Sequence, residues 1–310
     1  MASTTSGLAQ HMSIYYDKRF LERAKMMLKH DIGAVVKPLP ANSGKTVYFN
    51  RMTPLAVATT PLTEATNPSD VDMTSTIVSA TVAEYGNWTK VGSLYETTTI
   101  DVGLREHVDV HAQNAGETID TLIRDELSGG GTEQLVNGKD VTAQTATDII
   151  DGYEVRKAVL TLKKNKAMPF ENGYFRSIVP VSVAQDLRGD SEWLDAYRYT
   201  NAENIQNGLI GRLHGVEFFE TNNETVTADA GSGNVDTYTT YFFGMNAYGI
   251  VDIGSDSTPK IIYKRPGASD TSNPLDMFST VGWKATFVAK VLNANWLIEL
   301  KSASSFGANT

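Results

Sequence analysis

The stretch "KTVYFNRMTPLAVATTPLTEATNPSD", residues 45–70, decides how the chain can fold. It belongs to a longer region, residues 41–100, that contains thirteen threonines and has prolines at positions 54, 61 and 68. Helix is disfavoured here, because proline removes backbone donors and the branched β-carbon of threonine crowds a helical turn. A two-stranded ribbon with few large apolar side chains is marginal in water by itself. We therefore predict an extended β excursion that lies on a partner surface.

Gly44, Lys45 and Thr46 match the last three residues of a nucleotide-binding phosphate loop, but their surroundings do not fit. That loop needs a glycine five positions earlier, where this chain has Leu39, and a helix directly after the motif. Residues 46–50, "TVYFN", are β-branched and aromatic instead, which favours a strand. The motif therefore indicates a turn that enters a strand, and not an ATPase site.

Composition narrows the classes of function that the chain can have. It has 310 residues, of which 41% are hydrophobic, so it can fill a substantial core. Its formal net charge of −9 argues against tight nucleic-acid binding, which depends on lysine and arginine displacing counterions from phosphates. It has no cysteine, hence no disulfide, thiolate ligand or cysteine nucleophile. No stretch resembles a secretion signal or reaches the roughly 18 apolar residues of a membrane span, so we expect neither.

Two amphipathic helices flank the extended region. Residues 12–30 repeat apolar side chains at helical spacing, which predicts an N-terminal helix. Residues 101–127 predict a rod on the order of 40 Å long, whose narrow apolar seam consists of Val108, Ala112, Ala115, Ile119 and Leu122. Gly129, Gly130 and Gly131 then end the helix and form a candidate hinge.

The rest of the chain mixes helix and strand, which is typical of the α+β class. We predict a second helix at about residues 148–165 and a short helical stretch within 183–199. Strands are expected at 174–180, 215–221 and within 240–253.

The closing stretch alternates apolar and polar residues, the pattern of a strand with one buried face. The apolar face consists of Val281, Trp283, Ala285, Phe287, Ala289 and Val291. A second strand returns through Trp296, Ile298 and Leu300. We therefore predict a C-terminal β hairpin that packs on the long helix, with core residues Trp283, Phe287 and Trp296.

His107 and His111 lie one helical turn apart, which is the spacing of the zinc-binding HExxH motif. The glutamate of that motif should follow the first histidine, but Val108 stands there and no third ligand is evident. We expect the pair on the polar side of the helix and keep a zinc hydrolase as the enzyme alternative. No serine lies in a GxSxG elbow. We therefore predict no catalytic residue, no cofactor and no metal site.

Several stretches resemble one protein family, in the order in which they occur. They are "PANSGKTVYFNRMTPLAVATTPLTE" (40–64), "AEYGNWT" (83–89), "AGETIDTLIRDEL" (115–127), "VRKAVLTLKKNKAMPF" (155–170) and "TSNPLDMFSTVGWKATFVAKVLN" (271–293). Over roughly residues 12–301 the chain resembles the major capsid proteins of tailed bacteriophages in the enterobacteria-phage N-four-like family. The resemblance implies the Hong Kong 97-type capsid fold, which is α+β.

The architecture of that family can be placed on the numbered chain. It implies an N-terminal arm (1–40), an extended loop that reaches over a neighbouring subunit (41–100), a peripheral domain with spine helix and hinge (101–146), an axial domain (147–255) and a return to the peripheral domain with the C-terminal hairpin (256–310). Our hypothesis for the assembly interface comprises Lys45, Arg51, Glu64, Tyr85 and Trp88.

The function that the resemblance implies is structural and not enzymatic. Hexamers and pentamers of the chain would form an icosahedral shell that encloses double-stranded phage DNA without sequence-specific binding. The implied partners are further copies of the chain and a portal protein, with scaffolding, maturation-protease and decoration proteins left open, and no membrane. The implied location is the virion capsid, assembled in the cytoplasm of the host bacterium. An encapsulin-like, non-viral compartment is the first alternative.

Overall fold

The computed structural model describes residues 20–25, 27–39, 44–53, 55–64, 66–98, 103–193, 209–252, 259–264 and 273–307. Its helices are α1 (20–25), α2 (Ser93–Thr98), α3 (Gly103–Leu127), α4 (Gly152–Lys164) and α5 (Val181–Gly189). Helix α1 is part of the helix predicted at 12–30, of which residues 12–19 lie outside the described ranges.

The strands fall into four sheets. They are β1 (Val35–Pro38), β2 (Thr46–Met52), β3 (Ser75–Thr81), β4 (Ala83–Gly92), β5 (Thr132–Leu135), β6 (Phe175–Pro180), β7 (Leu209–Leu213), β8 (Val216–Thr221), β9 (Val226–Thr227), β10 (Thr237–Phe243), β11 (Tyr248–Asp252), β12 (Lys260–Lys264), β13 (Phe278–Phe287), β14 (Ala289–Val291) and β15 (Leu297–Ser302). Two small sheets are the ribbon β2-β3 and the three-stranded β1-β11-β14.

A seven-stranded sheet forms the centre of the subunit. Its strand order is β5-β15-β10-β6-β8-β7, and β9 pairs with β10. Strand β10 is buried along its whole length, because both faces of the sheet are covered. Phe242 faces the cluster formed with α4 and α5, whereas Tyr241 and Phe243 face the cluster formed with α3. Alternation along one strand therefore joins two cores.

Helix α3 connects the large sheet to a second sheet, whose strand order is β12-β13-β4. Its 25 residues span about 38 Å. The C-terminal half of its apolar seam packs on the large sheet, and the N-terminal half packs on Trp283 of β13. The predicted rod and seam are confirmed, and the fully buried Ile123 and Leu127 extend the seam.

The predicted C-terminal hairpin is wrong, because its two strands belong to different sheets. Strand β13 pairs with β12 and β4, whereas β15 pairs with β10 and β5 in the large sheet. Leu297 of β15 packs in one core and Ile298 in the other. A strand covered on both faces needs the interior of a sheet, which a hairpin with one wet face does not supply. The chain leaves the sheet of β13 after Phe287, continues as β14 in the β1-β11-β14 sheet, and enters the large sheet after the short turn Ala294–Trp296.

The predicted core residues of this closing stretch differ in burial. Trp283 and Phe287 are 3% and 6% exposed. Trp296 is half-buried between the two large clusters, and its indole N–H donates to the carbonyl of Asn165 at 3.1 Å. The large sheet does not coincide with the predicted axial domain, residues 147–255. It contains β6 to β10 from that range, together with β5 and β15 from outside it.

The region 41–100 is not extended throughout, contrary to the sequence prediction. Its last described residues form α2, a turn of helix without proline, where the Thr97 and Thr98 hydroxyls donate to helix carbonyls. Strand β4 belongs to the body of the subunit, because it pairs with β13 along its whole length. The separate β ribbon therefore covers only residues 46–81.

Helix α4 is the helix predicted at about residues 148–165. It begins at Gly152 because the Asp151 carboxylate accepts a hydrogen bond from the N–H of Glu154 at 2.9 Å and so caps the helix. Lys163 and Lys164 lie exposed in its last turn, where the helix dipole favours positive charge.

We predict that Trp283→Ala destabilises the unassembled subunit by about 3–5 kcal/mol, the range for truncation of a large buried aromatic residue. The indole N–H of Trp283 donates to the Asn114 side chain of α3 at 2.9 Å, so the change leaves both a cavity and an unsatisfied acceptor. Trp88→Ala is the control, because Trp88 lies on the opposite face of the same sheet and is 58% exposed. Urea unfolding measures both variants, and equal losses would contradict the assigned core face.

Candidate assembly interface

The ribbon β2-β3 begins at a glycine turn. Gly44 has φ +92°, a conformation that favours glycine, and strand β2 starts two residues later at Thr46. The strands pair antiparallel from Thr46↔Thr81 to Met52↔Ser75. The prediction that the GKT sequence enters a strand is confirmed.

The root of the ribbon packs on the subunit's own body. Val47 and Phe49 of β2 and Ala80 of β3 are buried in a cluster with Leu39 and Val251. Alternation places these three ribbon side chains on one face, since Val47 pairs with Ala80. The root therefore has an intramolecular partner, which the sequence analysis did not predict.

The opposite face and the end of the ribbon are exposed and apolar. Tyr48, Met52 and Ile77 on that face are 57%, 61% and 60% exposed. The ribbon tip, defined as residues 55–64 and 66–74, has exposed fractions of 53–78% at its large apolar side chains, which are Leu55, Val57, Leu62, Val71 and Met73. So many exposed large apolar side chains in one segment indicate a protein interaction site. It is the strongest candidate for an assembly contact.

The residues predicted for the interface divide between this ribbon and the body. All three of Lys45, Arg51 and Glu64 are exposed; Lys45 directly precedes the ribbon, Arg51 lies in β2 and Glu64 lies in the tip. Tyr85 and Trp88 lie in β4, where the register places them on opposite faces of the sheet. Tyr85 is half-buried against the core beneath α3, so its side chain stabilises the subunit, whereas Trp88 faces outward.

The outward face of β4, β13 and β12 forms a groove of about 710 Å³, here named the cationic groove. Register aligns Trp88, Gly282 and Ile262 in one row across the three strands. A side chain at Gly282 would fill the groove floor, since a β-carbon there would lie 2.7 Å from that of Trp88. The basic residues that line the groove are Lys90, Lys264 and Lys284.

One groove lysine is held by aromatic side chains and another by a carboxylate. The Lys90 ammonium lies 4.7 Å from the ring centre of Phe278 and 5.5 Å from that of Trp88, within the range of cation–π attraction. Lys284 pairs with Glu84 at 2.8 Å. The groove could not be predicted from the sequence, because its residues come from three strands that are distant in sequence. The alternation of β13 indicated only that one of its faces is polar.

A buried hydrogen-bonded pair of side chains attaches the N-terminal segment to α3. The His30 ring and the Asp120 carboxylate are each 1% exposed and lie 2.8 Å apart. The backbone N–H groups of Lys29 and His30 donate to the other Asp120 oxygen at 2.7 and 2.8 Å. Close approach of α1 to α3 requires Gly116, where a β-carbon would lie 2.5 Å from the carbonyl oxygen of Ala24.

The same carboxylate connects α3 to the large sheet. The Asn223 side chain donates to Asp120 at 2.8 Å and accepts from Arg124 at 2.7 Å. Burial by itself would raise the pKa of Asp120, but hydrogen bonds from the His30 ring and from the backbone N–H groups of His30 and Lys29 outweigh it. The pKa of Asp120 therefore lies below its ordinary value.

The three glycines predicted as a hinge form a tight turn after α3. Gly129 has φ +81°, and its N–H and that of Gly131 donate to the Glu299 carboxylate at 3.0 and 2.7 Å. A β-carbon at Gly130 would lie 2.6 Å from the Val291 side chain. Close packing therefore explains these glycines, and their role as a hinge stays a prediction.

His111 of α3 is buried, contrary to the prediction that both histidines lie on the polar side of the helix, whereas His107 is half-buried. His111 is 4% exposed and hydrogen-bonds to the Thr89 hydroxyl of β4 at 3.0 Å, because it lies at the edge of the buried seam. Burial, together with the positive potential of His107, holds the pKa of His111 below its usual value. Across the described ranges, no group of three or more His, Cys, Asp or Glu side chains could hold a metal ion.

Of the helices in the described residues, none is both long and apolar enough to cross a membrane.

No family model matches the sequence, and no curated protein matches it. Solved structures match closely in architecture. The capsid of Ralstonia phage GP4 has a TM-score of 0.70 and 12% identity over 89% of each chain. The cyanophage Pam1 capsid has a TM-score of 0.67 and 13% identity over 91% of this chain and 92% of that one.

The chain has the fold of phage capsid proteins. The predicted α+β capsid fold is thereby confirmed. A virus-like particle from Pyrococcus furiosus is similar as well, with a TM-score of 0.53 and 9% identity over 93% of this chain and 99% of that one.

We predict that Asp120→Ala lowers the free energy of unfolding of the unassembled subunit by about 3–5 kcal/mol at neutral pH, because each buried donor left without an acceptor costs about 1–3 kcal/mol. The change leaves His30 and two backbone N–H groups without their acceptor. Asp125→Ala is the control: its carboxylate pairs with Arg124 but is 60% exposed, so its loss should cost under about 1 kcal/mol. Chemical denaturation measures the free energy of unfolding of both variants. Similar losses would contradict the role of Asp120 as the residue that anchors the N-terminal segment on α3.

The Asp120 anchor also predicts a pH dependence. Because the pKa of Asp120 is lowered on folding, its contribution is complete above the unfolded pKa, about 3.9, and is lost as the pH falls through the folded value. The difference in unfolding free energy between the native chain and Asp120→Asn should therefore shrink below about pH 4. Denaturation series at several pH values measure it, and a difference that stays constant into strong acid would overturn this assignment.

Proposed function

We propose that the chain is the major capsid protein of a tailed bacteriophage and builds the shell that encloses its DNA. The observation that carries the proposal is an exposed apolar ribbon on a body with the fold of phage capsid proteins. The body is complete without the ribbon tip, because its two cores and the buried anchor are formed by other residues. The tip is therefore available for contact with a neighbouring copy.

Assembly would repeat one modest contact between subunits many times and so stabilise a closed shell. Each copy donates a ribbon to a neighbour and receives one, so contacts of ordinary size add through multivalency in a closed shell. The net charge of −9 suits a wall around dense DNA, because an acidic wall does not grip the phosphates tightly. In this proposal the chain has no enzymatic role.

The parts of the chain take the roles that the family resemblance implies, with one narrower boundary. Residues 1–40 are the arm, 46–81 are the extended loop, α3 is the spine helix and residues 147–255 supply most of the axial domain. A portal protein is the expected partner at one vertex, and scaffolding, protease or decoration proteins are further candidates. Assembly would take place in the host bacterial cytoplasm.

A non-viral compartment is the second candidate, and the likeness to the Pyrococcus furiosus particle favours it. The two candidates differ in what the shell encloses and not in how its subunits associate. Particles purified from the native source should contain double-stranded DNA in the first case and a protein cargo in the second.

We predict that deletion of residues 53–74 yields folded subunits that form no shells. The deleted residues contribute to no core cluster of the described structure, so the thermal unfolding temperature of the unassembled subunit should change little. The full chain should elute in the void volume of a size-exclusion column and show closed particles by negative-stain microscopy. Closed particles formed by the deletion variant would contradict the ribbon's role.

A further inference from the structure

We propose that a crevice at the root of the ribbon binds an amphipathic anion, a molecule with an apolar body that ends in a carboxylate. The crevice, here named the root crevice, has a volume of about 420 Å³ and lies between the ribbon and the body of the same subunit. Its ribbon wall includes Phe49, Arg51 and Val78, and its body wall includes Val35, Lys37 and Leu292. The inference concerns the single subunit and does not depend on the formation of a shell.

The two walls of the root crevice belong to different sheets. On the ribbon, Phe49 pairs with Val78, and Arg51 follows Phe49 by two positions, so it lies on the same face of β2. On the body, Val35 and Lys37 share one face of β1, which pairs with β11. A molecule bound between these walls therefore contacts the ribbon and the body at once.

The inner part of the root crevice is apolar. The ring of Phe49 is 7% exposed and packs closely on β11, since a β-carbon at Gly249 would lie 3.0 Å from it. Val78 and Leu292 are half-buried and pack against the same cluster as Phe49. The volume falls in the range of about 300–1,000 Å³ that small-molecule sites have. An apolar body in the crevice would extend this cluster and leave water.

The charged residues of the root crevice are all cations. Lys37 and Arg51 line it, and none of the described lining residues carries a carboxylate. The Lys37 ammonium donates to the carbonyl of Tyr48 and lies 5.3 Å from the ring centre of Phe49, so its charge is not neutralised. Arg51 is exposed and forms no ion pair with any residue that the structure describes. Two cations without a carboxylate, in a chain of net charge −9, attract an anion.

The cationic groove is the competing site for such an anion. It differs in charge, because Glu84 lines it and pairs with Lys284 at 2.8 Å. A carboxylate therefore already lies in the groove and would repel a second one. The two sites also differ in their tryptophan, since Trp296 lines the root crevice and Trp88 lines the groove. Tryptophan fluorescence can therefore tell the two sites apart.

The test uses dodecanoate that carries a bromine atom at the end of its chain, because bromine quenches the fluorescence of a tryptophan that it contacts. The probe is titrated into the full-length chain below the concentration at which it forms micelles. Quenching should be saturable. It should disappear in Trp296→Phe and persist in Trp88→Phe.

Charge variants test how the anion is selected. Arg51→Gln should weaken binding of the probe about tenfold, as loss of a hydrogen bond to a charged group does. Lys45→Gln is the matched control, because it removes one cation from an exposed residue outside the crevice lining, and it should leave the affinity unchanged. Both positions are exposed, so the unfolding temperatures of the two variants should agree with that of the native chain.

A cationic amphiphile with the same brominated tail, a dodecyltrimethylammonium ion, completes the experiment and should bind about tenfold more weakly or less. Absence of saturable quenching by dodecanoate would overturn the inference, and so would quenching that persists in Trp296→Phe. Equal affinity for the two amphiphiles would overturn the assignment of an anionic ligand. None of these results bears on the proposed function, because the titration does not measure assembly.

Discussion

The packing of α3 against two sheets at once holds the subunit together. One end of its apolar seam lies on the seven-stranded sheet, and the other lies on Trp283 of β13. The small residues Ala112 and Ala115 are fully buried on this helix, so sheet and helix approach closely. Phe287 of β13 joins the same cluster as Tyr241 and Phe243 of β10, so the two sheets also meet directly beside the helix. The cationic groove lies on the opposite face of the sheet that this helix covers.

The ribbon is only partly covered by the rest of its own subunit. Its root is buried against the body, whereas its outer half has apolar residues but nothing of its own to cover them. Hydrophobic burial stabilises an element only where a second surface excludes water. A subunit can therefore be complete in its core and still incomplete at its edge, which is the physical condition for assembly.

Sequence reasoning succeeded where a single period decides the structure. The seam of α3 and the alternation of β13 could both be predicted, because each residue's environment depends on its own element. The same reasoning failed for β15, whose adjacent Leu297 and Ile298 are both buried. Its neighbours β10 and β5 are remote in sequence, and local alternation does not report them. The cationic groove was beyond prediction for the same reason: it exists only after β4, β13 and β12 are aligned.

Asn223 joins three parts of the subunit that are distant from one another in sequence. Its amide contacts both Asp120, which holds the N-terminal segment, and Arg124, one turn further along α3. The N-terminal segment, the helix and the loop after β8 are thereby joined by one polar network. In the proposed shell, these three parts would move together. Curvature would then be adjusted where the chain is tied least, at the ribbon and between neighbouring copies.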